Sequence, residues 1–435
     1  MKKFLIKKGY NIKLDGNPIT SIVNQRDSDF IKYHPSNIKS FKTKLLVKVG
    51  EHVNVGTPLF FDKKNKEVMF VSSVSGKIEK IELGARRIVE KITIQNDKEY
   101  KSAPFLEKEN KETLLKSGLW SLLRQKPFSK IPHFDSVPKS IFISAMPTEP
   151  FAVNNEFLFS EIDNYLQSGI DIMKKIFNCD INISIESKSS FKNLKNVNFF
   201  TFNKLHPSGN VGIQIHHIDP IKNGTDIRWY LSMQNLNSIG YYFSEKKINS
   251  YKYISIGGNA FDNPAYYKIL VGTPVIDLVN ETLENKRYIS GDVLSGTEIN
   301  SECSMNLNDE VLSIIKTDSK QHFLGWLMPG LKKYSLSNAF FSKFISNRKS
   351  ILDTKLNGST RSIIPMGNWD KVLPMNIYSE FLIKSIIAKD IDMMEKLGIY
   401  ESSPEDFSLC SFVCQSKVEV SSLIEDGLNL IESEV

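Results

Sequence analysis

Leu45-Leu46-Val47-Lys48-Val49-Gly50-Glu51-His52-Val53-Asn54-Val55-Gly56-Thr57-Pro58-Leu59-Phe60-Phe61 sets apolar side chains in near alternation around two glycines. A period of two sends successive side chains to opposite faces of a strand, and each glycine permits a tight turn. Asp62-Lys63-Lys64-Asn65-Lys66 follows as a polar hairpin tip, and Val74-Ser75-Gly76-Lys77-Ile78 begins the next extended run. Across residues 1–100 Val, Ile, Lys and Gly recur with closely spaced turn signals, which predicts an all-β unit.

This pattern resembles the biotinyl/lipoyl barrel-sandwich, in which two such halves clasp each other. In carriers of that kind a lysine at the hairpin between the halves takes biotin or lipoate, and Lys63 or Lys64 lies near that place. The Met-Lys-Met or Asp-Lys-Ala surroundings read by the attaching ligases are missing here. A stand-alone carrier would show a mass increment on one of these lysines; a cofactor-free binding protein would not.

The chain has 435 residues, room for two to four domains at roughly 100–200 residues each. Its 41% hydrophobic and 24% charged residues exclude a globally disordered or low-complexity chain. No apolar run is long enough to span a bilayer, and Met-Lys-Lys-Phe-Leu-Ile-Lys-Lys at the start is too short for an export signal. The expectation is a cytoplasmic protein whose membrane contact is peripheral. The four cysteines Cys179, Cys303, Cys410 and Cys414 are then read as thiols.

The net charge of +7 is uneven: residues 1–100 carry 20 Lys+Arg against 11 Asp+Glu, residues 401–435 carry 1 against 8. A basic front and an acidic tail suit a subunit that docks on other surfaces or sits near anionic headgroups; the plain alternative is a solvated basic face. Without a recognition helix or paired stacking aromatics, nucleic acid is not expected as a partner.

Residues 108–124 hold a short helical pattern broken at Gly118. From 139 to about 258, strand-like runs at 140–145, 181–186, 197–202 and 211–218 surround a helical run at 156–178, which predicts an α/β layer. Residues 259–330 read as short strands around Lys286-Arg287-Tyr288-Ile289-Ser290-Gly291-Asp292-Val293-Leu294-Ser295-Gly296. The last hundred are helical. Ile377, Phe381, Leu382, Ile386, Met393, Met394 and Leu397 form one stripe with Gly398 as its cap. A second helix is read from Ser403 as N-cap with Pro404 at its first position, and a third carries Val420, Leu423, Ile424, Gly427, Leu428 and Ile431. The predicted domains are 1–100, 101–258, 259–330 and 331–435.

No G-x-G-x-x-G, Walker A, G-x-S-x-G or H-E-x-x-H occurs in the chain. Cys410 and Cys414 would share a helix face, but an iron–sulfur cluster needs four ligands, so these read as core thiols and their role stays open. His216-His217, at the end of the run 211–218, divides into one buried and one polar residue if that run is a strand; with Asp219 it would make an incomplete metal site. No carboxylate pair stands out as an acid/base couple, so no catalytic, metal or cofactor-binding residue is assigned. The cluster from Leu122 to His133 is different. A quinone ring needs an apolar slot and one or two donors for its carbonyl oxygens, and Arg124, Lys126, Phe128, Ser129, Lys130 and His133 offer both. The competing reading is a basic surface turn.

Taken in order, the segments resemble the A-subunit family of the bacterial sodium-translocating NADH:quinone oxidoreductase over nearly the whole chain. The carrying stretches are Leu45 to Lys64, Ser75-Gly76, Gly84-Ala85-Arg86-Arg87, Gly118-Leu119-Trp120, Pro127-Phe128-Ser129-Lys130-Ile131-Pro132 and His206-Pro207. Further on come Tyr288 to Gly296, Phe323-Leu324-Gly325-Trp326, Arg361-Ser362-Ile363-Ile364-Pro365-Met366-Gly367 and Leu409-Cys410-Ser411-Phe412-Val413-Cys414. The resemblance implies an α+β multidomain fold: a barrel-sandwich front, a Rossmann-like α/β domain, a small β-grasp-like domain of the soluble-ligand-binding type and a C-terminal helical domain. That arrangement is similar to the flavin-carrying NADH-oxidising subunit of complex I. It further implies a peripheral subunit on the cytoplasmic face of the inner membrane, in a six-subunit pump that carries electrons from NADH to ubiquinone and exports Na+. Its main partner would be the adjacent multi-span membrane subunit. It would hold no covalent cofactor or cluster; ubiquinone is the substrate of the complex.

Overall fold

The two glycines of the opening stretch turn the chain as their spacing suggests: in the computed structural model Gly50 and Gly56 have φ of +88° and +93°. The structure describes residues 1–279, 285–317, 329–330, 341–344, 354, 356 and 358–434. Around the turns, strands Thr43–Leu45, His52–Val53 and Pro58–Asp62 feed two small sheets. One has the order Phe30–Tyr33, Val89–Asn96, Gly76–Leu83, His52–Val53; the other is Thr43–Leu45, Pro58–Asp62, Asn65–Val71. Val53, Leu59, Phe60, Ile78, Ile92 and Ile94 are buried between them, and the Phe60 and Phe70 rings stack at 4.7 Å. Burying one such side chain stabilises by about 1.5–3 kcal/mol, which gives the alternation its force. Lys63 and Lys64 are exposed at the hairpin tip, where Asp62 accepts from the Lys64 amide at 3.1 Å.

The first two strands are lent out. Lys2–Phe4 runs parallel to Asn198–Phe202, and Ile19–Asn24 runs parallel to Ala265–Leu270, so the N-terminal segment straps two further sheets to the barrel.

The α/β sheet has the order Lys2–Phe4, Asn198–Phe202, Asp180–Ile185, Ser140–Ser144, Arg228–Ser232, Arg124–Lys126, with only the last strand antiparallel. Helices Leu166–Phe177 and Met233–Glu245 pack closely enough that a Cβ on Gly169 would lie 2.4 Å from the Leu236 carbonyl oxygen. Two sequence expectations are corrected here. The helical run 156–178 is two helices, Asn155–Glu161 and Leu166–Phe177. Residues 211–218 form the helix Val211–Ile218 rather than a strand. An eight-residue apolar run satisfies either period, and here packing decides: Ile213 and Ile215 are buried against Phe142 and the C-terminal helices.

The third sheet has the order Thr297–Ile299, Lys286–Ser290, Val311–Lys316, Tyr251–Gly257, Ala265–Leu270, Ile19–Asn24. At the C-terminal end the stripe from Ile377 to Leu397 is interrupted at Lys389, φ +57°, giving Ser379–Ala388 and Ile391–Lys396. Gly398 caps the second with φ +94° as expected. Ser403 caps a turn instead of a helix, donating to Asp406 Oδ2 at 2.5 Å, and the helix begins at Ser408. Val420–Glu434 buries Val420, Ile424, Gly427, Leu428 and Ile431. Phe323 to Trp326 lie outside the described residues.

Candidate functional site at the domain junction

Gly118 ends the helix Lys111–Lys116 with φ +80°, and a Cβ there would come 2.7 Å from Val71 Cγ2. Only glycine lets the turn Leu119–Leu122 lie this close to the barrel. Beside it is a cavity of about 130 Å³, where the barrel, this turn, the first turns of Met233–Glu245 and the third sheet meet. Phe70, Val71, Leu122, Ile248, Val271 and Leu307 supply its apolar walls.

Polar residues also line it, among them Ser117, Asn235, Lys252, Asn308 and Glu310. Ser117 Oγ is buried with no hydrogen-bond partner. Asn235 Nδ2 donates to the Leu122 carbonyl at 3.2 Å, which ties the helix to the turn. Lys252 Nζ donates to the carbonyls of Asn306 and Asp309 at 3.3 and 3.1 Å. Burial lowers the Lys252 pKa to about 8, against the pull of Asp309 and Glu310. Two N–H groups are thus engaged and the third is left over. Burial raises the Glu310 pKa, with Ser232, Gln234 and the nearby Lys252 ammonium pulling the other way. Nearby, burial together with Asp292 and Glu310 pushes Glu149 up to about 7.

The structure gathers Arg124, Phe128, Ser129 and Lys130 on one hairpin but divides their contacts. Arg124 Nη1 donates to the carbonyls of Ser121 and Leu123, both at 2.8 Å. It also faces the side-chain amide of Asn308, a cavity residue, whose oxygen accepts from the guanidinium once that amide is turned toward it. Arg124 therefore acts on the cavity wall from behind. Phe128 sits at φ +78°, edge-on to Tyr400 at 6.2 Å, with Lys130 Nζ 5.0 Å from its ring centre. Ser129 follows at φ +50°, and Lys130 pairs with Glu432 of the last helix. His133 is exposed, paired with Asp135 and 4.6 Å from the Phe134 ring.

Between these lies Lys126, 1% exposed, with Asp406 at 3.0 Å and Glu405 at 3.6 Å. Burial works against its ammonium, but the two carboxylates outweigh that and hold the pKa above the usual lysine value. The histidines belong to the same seam. On the helix Val211–Ile218 both are partly buried, so the expected split into one buried and one polar residue does not hold. His216 Nδ1 lies 2.6 Å from Glu401, and His217 Nε2 lies 2.9 Å from the Pro374 carbonyl. Asp219 is held by the buried Arg228 at 2.6 and 2.9 Å. Cys410 and Cys414 are buried in the helical core, and burial raises the Cys410 thiol.

Ser117, Asn235, Lys252, Asn308 and Glu310 were not singled out from the sequence, because they come from segments far apart in the chain. The one local signal was the break at Gly118, which marks the turn but not the cavity behind it.

Family models match three successive parts of the chain: the NqrA N-terminal barrel-sandwich hybrid domain at residues 4–97, the NqrA second alpha/beta domain at 106–248 and the NQRA C-terminal domain at 253–301. Among curated relatives, the A-subunit of the Na(+)-translocating NADH-quinone reductase of Photorhabdus laumondii subsp. laumondii is 31% identical over 446 residues, covering 99% of both chains. The A-subunits of the same reductase from Vibrio atlanticus and Pseudomonas aeruginosa are each 30% identical, again over 99% of both chains. A solved NAD+-reducing [NiFe]-hydrogenase aligns with 42% of this chain and 41% of its own at 10% identity, with a TM-score of 0.32, too low to bear on the fold. Three matching domains in order and relatives aligned end to end leave one assignment: the chain belongs to the NqrA family, the A-subunits of the Na(+)-translocating NADH-quinone reductase, an oxidoreductase that is also a sodium translocase.

Proposed function

We propose that the chain serves the quinone-reducing end of the pump, where ubiquinone becomes ubiquinol coupled to Na+ export, by positioning the quinone and docking on the adjacent multi-span membrane subunit. It sits on the cytoplasmic face among five other subunits, which deliver the electrons. The third sheet then acts as the β-grasp-like domain of an architecture shared with the flavin-carrying subunit of complex I. No helix among the described residues is long and apolar enough to cross a membrane, in keeping with a peripheral place. Exposed Ile364, Met366, Tyr378, Phe381 and Ile387 around the helix Ser379–Ala388 offer an apolar face to the membrane subunit.

The observation that carries the reading is the junction cavity. At about 130 Å³ it matches one ring, since an apolar cavity of about 150 Å³ takes up benzene. A quinone ring would lie against Phe70, Val71 and Leu122, with Ser117 Oγ and the remaining N–H of Lys252 donating to its two carbonyl oxygens. Arg124 positions Asn308 behind the ring. Phe128, Ser129 and Lys130 continue the wall toward the helical domain, and His133 faces the partner. In the assembled pump, Ser117→Val and Lys252→Met are expected to raise the apparent quinone KM about three- to tenfold, the loss of one hydrogen bond each. Phe128→Ala and Lys130→Ala are expected to raise it less. A KM unchanged in the first pair removes the cavity from the reading, and one unchanged in the second removes the hairpin.

A further inference from the structure

Strands Gly76–Leu83 and Val89–Asn96 form a hairpin that outruns its sheet. Phe30–Tyr33 pairs with the second strand only as far as Ile92, and His52–Val53 pairs with the first only as far as Lys77. The rungs Glu82–Lys91 and Leu83–Val89, with the loop between them, therefore project past both flanking strands. The loop closes on itself: the Gly84 amide donates to the Ile88 carbonyl at 2.8 Å, and the Arg87 amide to the Gly84 carbonyl at 3.1 Å.

This tip displays apolar and cationic groups together. Leu83 is 49% and Ile88 53% exposed, one at each end of the loop, with Ala85, Arg86 and Arg87 exposed between them. Arg86 and Arg87 hold φ of +54° and +60°, a backbone region that costs a residue with a Cβ and that glycine or asparagine fills more easily. Among the described residues neither guanidinium has a hydrogen bond or an ion pair. Glu82, at the base of the loop, is already held by Lys80 at 2.5 Å and by Lys91. Residues 76–91 carry five Lys+Arg against three Glu, so the hairpin is cationic.

A protein partner would need a pocket shaped to this projecting tip. A bilayer needs none, because headgroups and acyl chains rearrange around the side chains that enter. Guanidinium groups next to aliphatic side chains suit its anionic interface, the charge staying among the headgroups while the apolar groups go deeper. We propose that the tip Leu83–Ile88 binds an anionic lipid surface, with Arg86 and Arg87 pairing with headgroup phosphates and Leu83 and Ile88 entering the acyl boundary. The inference rests on the peripheral place proposed above but not on the junction cavity.

The test is co-sedimentation of the full chain with phosphatidylcholine vesicles, either alone or with about one-third phosphatidylglycerol. The wild-type chain is expected to bind the anionic vesicles at least about tenfold more tightly than the neutral ones. On the anionic vesicles, Arg86→Gln with Arg87→Gln is expected to lose at least about tenfold in affinity, and Leu83→Ser with Ile88→Ser at least about threefold. Lys63→Gln with Lys64→Gln removes the same charge from another exposed hairpin tip and is expected to lose less than about threefold. Thermal melting of each variant checks that these exposed substitutions keep the fold. Wild-type chain that binds neither vesicle, or both equally, overturns the inference. So does an equal loss in the lysine and arginine pairs, which would make the binding a matter of net charge. If the arginine pair leaves vesicle binding intact but stops co-purification with the membrane subunits, the tip is a protein contact and the lipid assignment falls. The vesicles hold neither quinone nor protein, so a failure here leaves the quinone reading standing, and an unchanged quinone KM in the assembled pump leaves the tip untouched.

Discussion

Two junctions meet on either side of the turn from Gly118 to Lys130, and they are built in opposite ways. Toward the helical domain the chain is filled and paired: Lys126 with Asp406, Phe128 edge-on to Tyr400, Lys130 with Glu432 and His216 with Glu401. Toward the barrel and the third sheet it leaves a cavity of about 130 Å³; buried polar atoms without a partner occur on both sides, Ser117 Oγ beside the cavity and Ser129 Oγ and Asp406 Oδ1 in the filled junction. Close packing is the rule in protein interiors, and a buried polar atom left unpaired costs about 1–3 kcal/mol. By packing, the filled junction is a joint between domains, and the cavity makes the hollow one the place where a ligand would restore the missing contacts.

The largest difference between the two should appear in stability. Lys126→Met leaves Asp406 buried without its cation and is expected to cost about 3–5 kcal/mol in urea unfolding. Lys252→Met in the hollow junction is expected to cost less, at most about 1 kcal/mol, since the loss of its bonds to the Asn306 and Asp309 carbonyls is offset by removing an amine whose charged form burial disfavours. Comparable losses from both would erase the distinction.

A second contrast is in pH. Glu149 has a folded pKa of about 7, above that of an unfolded glutamate, so the folded state holds its proton more tightly. Its contribution is fully present below about pH 4.5 and is lost as pH rises through 7. Glu149→Gln is expected to remove a loss of order 1–3 kcal/mol across that window, read as a flatter curve of thermal midpoint against pH. Identical slopes in the two proteins would show that the carboxyl group titrates normally.

A smaller effect is expected at the turn between the junctions. Gly118→Ala places a Cβ against Val71 at a positive φ and should cost about 1–2 kcal/mol, with some loss of ring binding because the turn forms a cavity wall. A variant as stable as wild type would mean that the turn can shift. The smallest expected change is His133→Ala, which removes an exposed pair with Asp135 and should leave stability within about 0.5 kcal/mol.

How far the sequence could be read follows the same division. The barrel was legible because the alternation through Val53, Leu59 and Phe60 and the turns at Gly50 and Gly56 are local signals that agree with the final packing. The last helix was legible for the same reason, through Ile424, Leu428 and Ile431. The run from Val211 to Ile218 misled because its apolar positions suit both periods, and only its contact with the helical domain selects the helix. Of the candidate site, the sequence showed the basic and aromatic hairpin, whose residues are adjacent in the chain. The cavity was hidden because Ser117, Asn235, Lys252 and Glu310 meet only after four segments have folded together, and none is unusual in its own neighbourhood.

The central claim is that the hollow junction takes the quinone ring. The most direct measurement is equilibrium binding of the ubiquinone headgroup, without its tail, to the full chain and to two variants. Val271→Phe fills the cavity from its apolar wall, and Phe128→Ala alters the hairpin alone. Loss of at least about tenfold in affinity for Val271→Phe, with a change under about threefold for Phe128→Ala, is the expected result. Headgroup affinity that survives filling of the cavity but falls with Phe128→Ala would contradict the account and return the site to the hairpin.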